Sequence, residues 1–321
     1  MHSLLDNIKG TKILVIGDVM LDHYIHGDAE RISPEAPVPV IHIEKESFVP
    51  GGAANVALNI CSLGGKAILC GTLGADEAGN ILKTKLEHHH IDFIPSSINP
   101  KVSTIVKTRV VARHQQLCRL DREEKPGHYA IQPELHPEIE SYLNQVDAVI
   151  FSDYAKGVIT DPLIEAVKSF ARKKGLFLAI DPKPKRRLNF ADLDLMTPNR
   201  YESIAMSQVE VDPHQPFPQD EICRMIWEKY KVKQLVITMG PDGMILSHQG
   251  NLVKHVPTAA IEVYDVSGAG DTVIASLTLA LCRQTHIEKA AQFANIAAGI
   301  VVGKLGTATA SPEEILAYHN R

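Results

Sequence analysis

Ala148-Val149-Ile150-Phe151-Ser152-Asp153, then an amphipathic run opening at Asp161-Pro162 and stopping at Gly175, then Leu176-Phe177-Leu178-Ala179-Ile180-Asp181: this stretch decides the fold. Two short apolar runs flank a segment of helical length, which is the pattern of parallel strands covered by helices. Asp161 reads as an N-cap followed by Pro at the first helical position, and Gly175 as the helix stop. The same rhythm extends in both directions. Lys12 to Gly17, Lys66 to Cys70, Asp194 to Met196 and Gln234 to Met239 read as further strands, with helical stretches between most of them. Gly64-Gly65 is a second stop, and Ser311-Pro312-Glu313-Glu314 has capping-box spacing. The fold class is therefore α/β, with helices on both faces of a mainly parallel sheet.

The far ends of these strands carry Asp18, Ser152-Asp153, Asp181, Thr197-Pro198-Asn199 and Gly240. Open α/β sheets bind ligands outside the carboxyl ends of their strands, so one edge of the sheet is the expected site. Two segments break the rhythm. Pro37 to Val49 and Ser103 to Leu120 read as strands of a separate small sheet, the second with Ile105, Lys107, Arg109, Val111 and Arg113 on one face. Such a sheet cannot hide both of its faces alone, so it should cover the site, pack on a second subunit, or both. Asp212 to Gln219 is Pro-rich and reads as a loop.

The sequence of 321 residues carries 33 Lys and Arg against 38 Asp and Glu, a formal net charge of -5, with 45% hydrophobic residues and one Trp. That balance lacks the clustered cations of a nucleic-acid footprint. Apolar runs such as that around Ile13 to Ile16 fall far short of the roughly 18 residues that span a bilayer. The first ten residues show no secretory pattern, and a cytoplasmic setting is expected. Five cysteines without a CxxC pair suit reduced, mostly buried thiols rather than a disulfide frame or zinc site. His88-His89-His90 sits at a helix end, where capping and surface exposure outweigh metal binding.

The strongest chemical motif is Asp265-Val266-Ser267-Gly268-Ala269-Gly270-Asp271, followed by a helix-compatible run from Thr272 to Cys282. Small residues at a helix start let unpaired amides and the positive end of the dipole face an anion, here a transferring phosphoryl group. A carboxylate beside an anion site needs a job, and Asp271 is the expected general base. Gly51-Gly52 allow close backbone approach before the helix Val56 to Leu63, and Asn55 offers donor and acceptor to a polyol. Asn199 and Glu202, three apart at a helix start, could hold Mg²⁺ through waters or simply cap the helix. There is no GxxxxGK[ST], no third glycine after Gly268 and Gly270 because position 273 is Val, and no HRD or DFG set. A P-loop enzyme, a nicotinamide enzyme and a protein kinase are thereby excluded.

Gly51-Gly52-Ala53-Ala54-Asn55 and Asp265 to Asp271, in that order, resemble the two signatures of the ribokinase/PfkB carbohydrate kinase family. The similarity continues through Gly17-Asp18 with Asp22, Thr197-Pro198-Asn199 to Glu202, Thr238-Met239-Gly240-Pro241-Asp242-Gly243 and Asn295. It implies a three-layer αβα sandwich with a protruding β-sheet lid: one kinase domain over residues 1–321, its lid from about 24–49 and 102–121. It also implies ATP as donor with Mg²⁺. Asp271 is then the base, and Gly268, Ala269 and Gly270 form the anion hole. Thr238, Gly240, Gly243, Asn199 and Asn295 serve the nucleotide, and Asn199 and Glu202 the metal region. Asp18, Asp22, Gly51, Gly52 and Asn55 hold the sugar, and Asp265 contributes to a monovalent cation site for K⁺.

Within the family the chain is similar to kinases of D-glycero-β-D-manno-heptose 7-phosphate. The supporting residues are Gly17 to Asp22, Ile32 to Val40, Gln115-Gln116 to Arg119-Leu120-Asp121, Asp181-Pro182-Lys183 and Gly306-Thr307-Ala308-Thr309. This resemblance implies formation of the 1,7-bisphosphate on the way to ADP-heptose for lipopolysaccharide. After Lys183 the chain departs from the Gly-Asp-Phe-like continuation, with Pro184-Lys185-Arg186-Arg187-Leu188-Asn189-Phe190. Lys183 is the first candidate to hold the sugar phosphate. Arg119, with Arg109 and Arg113, is a lid candidate, and Lys185, Arg186 and Arg187 read as a solvated run. A kinase for another sugar, a sugar-phosphate sensor without turnover, and a homodimer built through the lid are the other readings.

Overall fold

In the computed structural model residues 1–94, 97–113, 115–131, 136–212 and 214–320 are described. His114 in the second lid segment and Pro213 in the Pro-rich loop lie outside the described residues. The first half of the chain forms α1 (His2–Ile8), β1 (Lys12–Gly17), β2 (Val19–Ile32), β3 (Pro39–Gly52), α2 (Ala53–Ser62), β4 (Lys66–Cys70), β5 (Leu73–Gly74), α3 (Glu77–His88), β6 (Asp92–Phe93), β7 (Ile98–Asn99), β8 (Ile105–Ala112), β9 (Gln115–Arg122) and α4 (His136–Leu143). The second half forms β10 (Ala148–Ser152), α5 (Asp161–Lys174), β11 (Phe177–Asp181), β12 (Leu195–Met196), α6 (Arg200–Ser207), α7 (Gln219–Tyr230), β13 (Gln234–Thr238), β14 (Met244–His248), β15 (Asn251–Val256), α8 (Ala269–Leu281), α9 (Ile287–Val302) and α10 (Pro312–His319).

Among the described residues the main sheet has the order β15-β14-β13-β12-β11-β10-β1-β4-β6. Strands from β6 to β13 across the sheet pair in parallel, and β14 and β15 return antiparallel. The central strands are apolar at successive positions because alternate side chains enter two different cores. Leu14, Ile16, Val149, Phe151 and Ile180 pack on one face, and Ile13, Val15, Ala148, Ile150 and Ala179 on the other. β14 and β15 escaped the sequence reading. β15 lies at the sheet edge and is mostly exposed, so it never needed a continuous apolar run.

Helix starts differ by small shifts with clear causes. Thr160 rather than Asp161 caps α5, its side chain accepting from the Leu163 amide, and Gly175 closes the helix in the left-handed region at φ 68. α2 begins at Ala53 instead of Val56, so Asn55 lies in its first turn. α8 begins at Ala269, which puts Asp271 in the first turn after Gly268. α8 is buried all round from Asp271 to Leu281, as befits a helix clamped between neighbours.

The lid is a four-stranded sheet in the order β3-β2-β8-β9. It starts earlier and ends later than expected, because β2 and β3 pair from Val19 opposite Gly52 to Ile32 opposite Pro39, with register shifts at His26/Gly27 and Ala29/Arg31. The glycine pair therefore ends a lid strand and opens α2 at the same time. β9 is exposed along its whole length, and its Cys118 is exposed too, unlike buried Cys70 and Cys223.

Candidate active site

β1, β10, β11, β12 and β13 deliver their carboxyl ends to one edge of the sheet, where the first turn of α8 meets them. Asp271, 4% exposed, sits at the centre. Its Oδ2 accepts from Asn55 Nδ2 at 2.7 Å, and its Oδ1 accepts from the hydroxyl of Tyr154. Burial pushes this carboxyl up to about 6, against the two hydrogen bonds and the Lys183 ammonium, which pull it down. A base with its transition near neutrality is ionised at physiological pH yet basic enough to take a proton.

Asn55 is fully buried and turned to the base rather than to open solvent. Asn59 Nδ2 donates to Asn55 Oδ1 (3.2 Å), and Thr272 Oγ1 donates to Asn59 Oδ1 (2.8 Å), locking α2 to α8 behind Asp271. Asp18, expected to hold sugar, is placed differently. It is fully buried, and its carboxylate accepts the amides of Tyr154 (2.8 Å), Lys156 (3.0 Å) and Val158 (3.0 Å). Its carboxylate ties down the loop after β10. Asp22 lies at the root of the lid, where Arg109 donates to Oδ1 and a Cβ on Gly51 would come within 2.5 Å of Oδ2. Gly51 is thus required by the approach of the Asp22 side chain.

Lys183, the first candidate for the sugar phosphate, stands just past the end of β11. Its ammonium donates to Glu202 Oε1 and lies 5.7 Å from the centre of the Tyr154 ring. Glu202 Oε2 accepts the Asn199 amide at 2.8 Å while Asn199 Oδ1 accepts the Glu202 amide at 3.0 Å, a complete capping box for α6. The capping reading of this pair is the one these hydrogen bonds show. Asp181, on the last residue of β11, is pushed up to about 8 by burial, with Lys183 pulling it down. Arg186, read as part of a solvated run, instead donates to the carbonyl of Ile159 at 2.7 Å.

At the nucleotide side, the three small residues before Asp271 differ from one another. The Ala269 amide donates to the Val266 carbonyl (3.3 Å), whereas those of Gly268, Gly270 and Asp271 have no acceptor among the described residues. A Cβ on Gly270 would meet nothing within 4 Å, so open space lies beside these amides. Asp265 braces the loop by accepting the amides of Ser267 (2.9 Å) and Gly306 (3.2 Å). Asn295 joins α9 to the strand leading in, accepting the Ala259 amide and donating to the Pro257 carbonyl. Thr238 bridges to Asn199, and the turn Gly240 to Gly243 follows it. A Cβ on Gly243 would fall 2.1 Å from the Val256 carbonyl.

The lid turns one face to this edge. Paired residues share a face, so Asp22, Tyr24, Lys107, Arg109, Arg119 and Asp121 lie together. Tyr24 reaches Thr307 Oγ1 at 3.2 Å, which places that face over the Gly306 loop. Arg119 is engaged by Asp121 through two nitrogens, at 2.8 and 2.9 Å, and stays half exposed. Arg113 is farther out and pairs with Asp28. Sequence reading missed Tyr154, whose one signal was its place directly after the polar strand end Ser152-Asp153. Asn59 and Thr272 were also missed, since polar residues within helices carry no positional mark.

A buried carboxylate with its transition near neutrality, beside unclaimed amides at a helix start and under a sheet of cations, suits phosphoryl transfer to a hydroxyl. The comparisons agree. The family model described as pfkB family carbohydrate kinase matches residues 10–314. The chain belongs to the pfkB family, and it is a sugar kinase of that family. It is 41% identical over 311 residues to "Bifunctional protein HldE" of Helicobacter pylori (strain G27), covering 97% of this chain and 66% of that protein. It is 42% identical over 320 residues to the HldE of Edwardsiella ictaluri, covering 98% of this chain and 65% of that protein. The chain thus spans about two thirds of these relatives' length. Among solved structures, phosphofructokinase-2 from Escherichia coli in complex with potassium superposes with a TM-score of 0.77 at 21% identity, covering 97% of this chain and 100% of that one. Arabidopsis thaliana ribokinase, complexed with ribose and ATP, gives 0.72 at 18% identity, covering 97% and 98%. These likenesses show a ribokinase-like fold.

Proposed function

We propose that the chain transfers the γ-phosphoryl group of ATP to the anomeric hydroxyl of D-glycero-β-D-manno-heptose 7-phosphate, in the route to ADP-heptose. The observation that carries the reaction is Asp271 held beside the unclaimed amides at the start of α8. The heptose rests on the motifs from Gly17 to Asp22 and Ile32 to Val40, supported by the similarity to HldE proteins. Residues 1–321 are taken as one catalytic unit. ATP as donor is in keeping with a cytoplasmic setting, and no helix among the described residues is long and apolar enough to cross a membrane.

In this reading Asp271 takes the proton of the attacking hydroxyl, while the Gly268, Gly270 and Asp271 amides neutralise the phosphoryl oxygens. Lys183, beside the base, faces the transferring group. The distal phosphate then falls to the lid cations Lys107, Arg109 and Arg119. Asp22 and the ends of β3 and α2 bound the sugar space. The exposed apolar residues Ile261, Val263, Tyr264 and Val266, with Leu305, seat the nucleotide base. Mg²⁺, when bound, would neutralise charge on the nucleotide phosphates. Asn199 and Glu202 would hold it through waters. K⁺ beside Asp265 is proposed on the resemblance, as both Asp265 oxygens already accept amides.

The test is ADP release with ATP and Mg²⁺, offering the heptose 7-phosphate beside ribose, fructose and fructose 1-phosphate. Heptose-dependent turnover supports the assignment, and turnover on another sugar alone discards the heptose while keeping the kinase. Because Asp271 works ionised and titrates at about 6, kcat/KM should rise with pH through that value and level off above it. A flat profile between pH 5 and 8 would argue against Asp271 as the base.

The lid's other face carries Leu21, His23, Phe48, Val106 and Leu120 around a groove against α3, and Leu120 is 60% exposed. A homodimer through this face is proposed. Light scattering should give a dimer mass that falls to the monomer mass in Leu120→Glu; a wild-type monomer at high protein concentration defeats the proposal.

A further inference from the structure

Asp271 receives a donor on each carboxylate oxygen, Tyr154 on Oδ1 and Asn55 on Oδ2, and each oxygen keeps a lone pair for a further hydrogen bond. The donors come from separate elements, the loop after β10 and the first turn of α2, so together they fix the plane of the carboxylate. A helix is enough to hold Asn55. Tyr154 stands on a loop, and two fully buried carboxylates hold that loop in shape. Asp18 accepts the amides of Tyr154, Lys156 and Val158, and Asp153 accepts those of Ala155 at 2.8 Å and Lys183 at 3.4 Å. Ala155 is kept at φ 59, in the left-handed region that residues with a Cβ rarely adopt. Strain of this kind persists only where the surroundings over-determine it, and here it sets the residue directly before it, Tyr154. The Lys183 ammonium lies 5.7 Å from the centre of the Tyr154 ring, and Asp153 anchors the backbone of both loops.

We propose that Tyr154 is the positioning residue of the base: its hydroxyl, paired with Asn55, orients the Asp271 carboxylate and stabilises its ionised form throughout the reaction. The inference rests on the kinase reading and adds the group that sets the working pH of its base. Burial and the neighbouring Asp271 hold the phenol well above its ordinary value, so the proton stays on the tyrosine and Tyr154 remains the donor. Among the described residues the charged groups facing Asp271 are Asp22 on β2, Asp181 at the end of β11 and Lys183 just past it, with Glu202 of α6 behind Lys183. Replacing Tyr154 by Phe keeps the ring beside Lys183 and takes away only the donor.

Asp271 works ionised, and losing a hydrogen bond to the ionised form raises the pH at which it ionises. In Tyr154→Phe the acid limbs of both kcat and kcat/KM should therefore move up by about one to two pH units from their wild-type positions. On the plateau above the limb kcat should fall about tenfold, because Asn55 alone then holds the carboxylate plane. A tyrosine that only braced its loop would lower the melting temperature or the active fraction and leave the limbs in place. Limbs that stay where the wild type has them, in a variant that still turns over sugar, overturn the positioning role and leave the kinase reading intact.

A second readout depends neither on turnover nor on Tyr154→Phe folding. Of the eight tyrosines in wild-type protein labelled with ¹³C at ζ, one should report protonation of Asp271 as a shift with its midpoint at about 6, and Asp271→Asn should lack that shift. If no tyrosine titrates with Asp271, the proposal is overturned whatever the kinetics show. If no sugar in the panel is turned over, the kinase reading fails and the positioning role fails with it, even where the resonance titrates.

Discussion

Asp271→Asn is expected to lower kcat by roughly 10²–10⁴-fold, the usual contribution of a positioned general base. The substitution changes little else. Asparagine has the same shape, and its amide oxygen can still accept from Asn55 Nδ2 while its NH₂ faces the Tyr154 oxygen. A buried carboxyl whose transition is pushed up by burial is a charge the fold tolerates rather than needs. Thermal stability should therefore hold or rise in Asp271→Asn, and nucleotide affinity should change little. ADP release and a melting curve measured on the same preparation check both halves. Activity within tenfold of the wild type would show that another group takes the proton.

The second large effect is expected from Gly268→Ala. Gly268 sits at φ 79, the left-handed region that L side chains rarely adopt, and an added Cβ would lie 2.7 Å from Asn55 Nδ2. That nitrogen is the one that orients Asp271, so a single methyl group acts on both the anion hole and the base. The amides at the start of α8 must re-aim, and losing one such donor costs roughly 10²–10³-fold in kcat. The backbone penalty is about 1 to 2 kcal/mol. Gly270→Ala is the informative contrast, because its Cβ would meet no protein atom within 4 Å in the empty site. Stability should be kept in that variant, whereas turnover should fall wherever the methyl group intrudes on the phosphoryl position. If Gly268→Ala keeps wild-type kcat, the loop does not hold the transferring group.

Much of the architecture was legible because the central strands must be apolar on both faces, a demand that shows as unbroken runs at Ile13 to Ile16 and Ala148 to Phe151. β15 was not legible, since an exposed antiparallel edge is allowed polar residues, and β14 was passed over although its Met244 to Leu246 run is apolar and buried. Lid strands were visible as β-rich segments, but their reach to Val19 and Gly52 depends on a pairing between residues far apart in sequence. Gly-rich loops and the carboxylate after them were visible because left-handed backbone and close approach restrict residue choice. Partners were not: whether a given polar side chain faces a ligand or the protein depends on which elements meet.

Asp18 shows the difference most directly, being the polar end of β1 that serves the amides of the loop after β10. Lys183 shows it again, since its ion pair with Glu202 has no mark in the sequence. By itself the sequence determined the α/β class, the polar carboxyl ends of the strands and the carboxylate at the start of α8, because periodicity, turn chemistry and helix ends are local properties of the chain. Only the tertiary structure decided that Asn55 and Tyr154 share Asp271 and that Lys183 stands near it, because hydrogen bonds and burial arise where segments far apart in sequence are brought together.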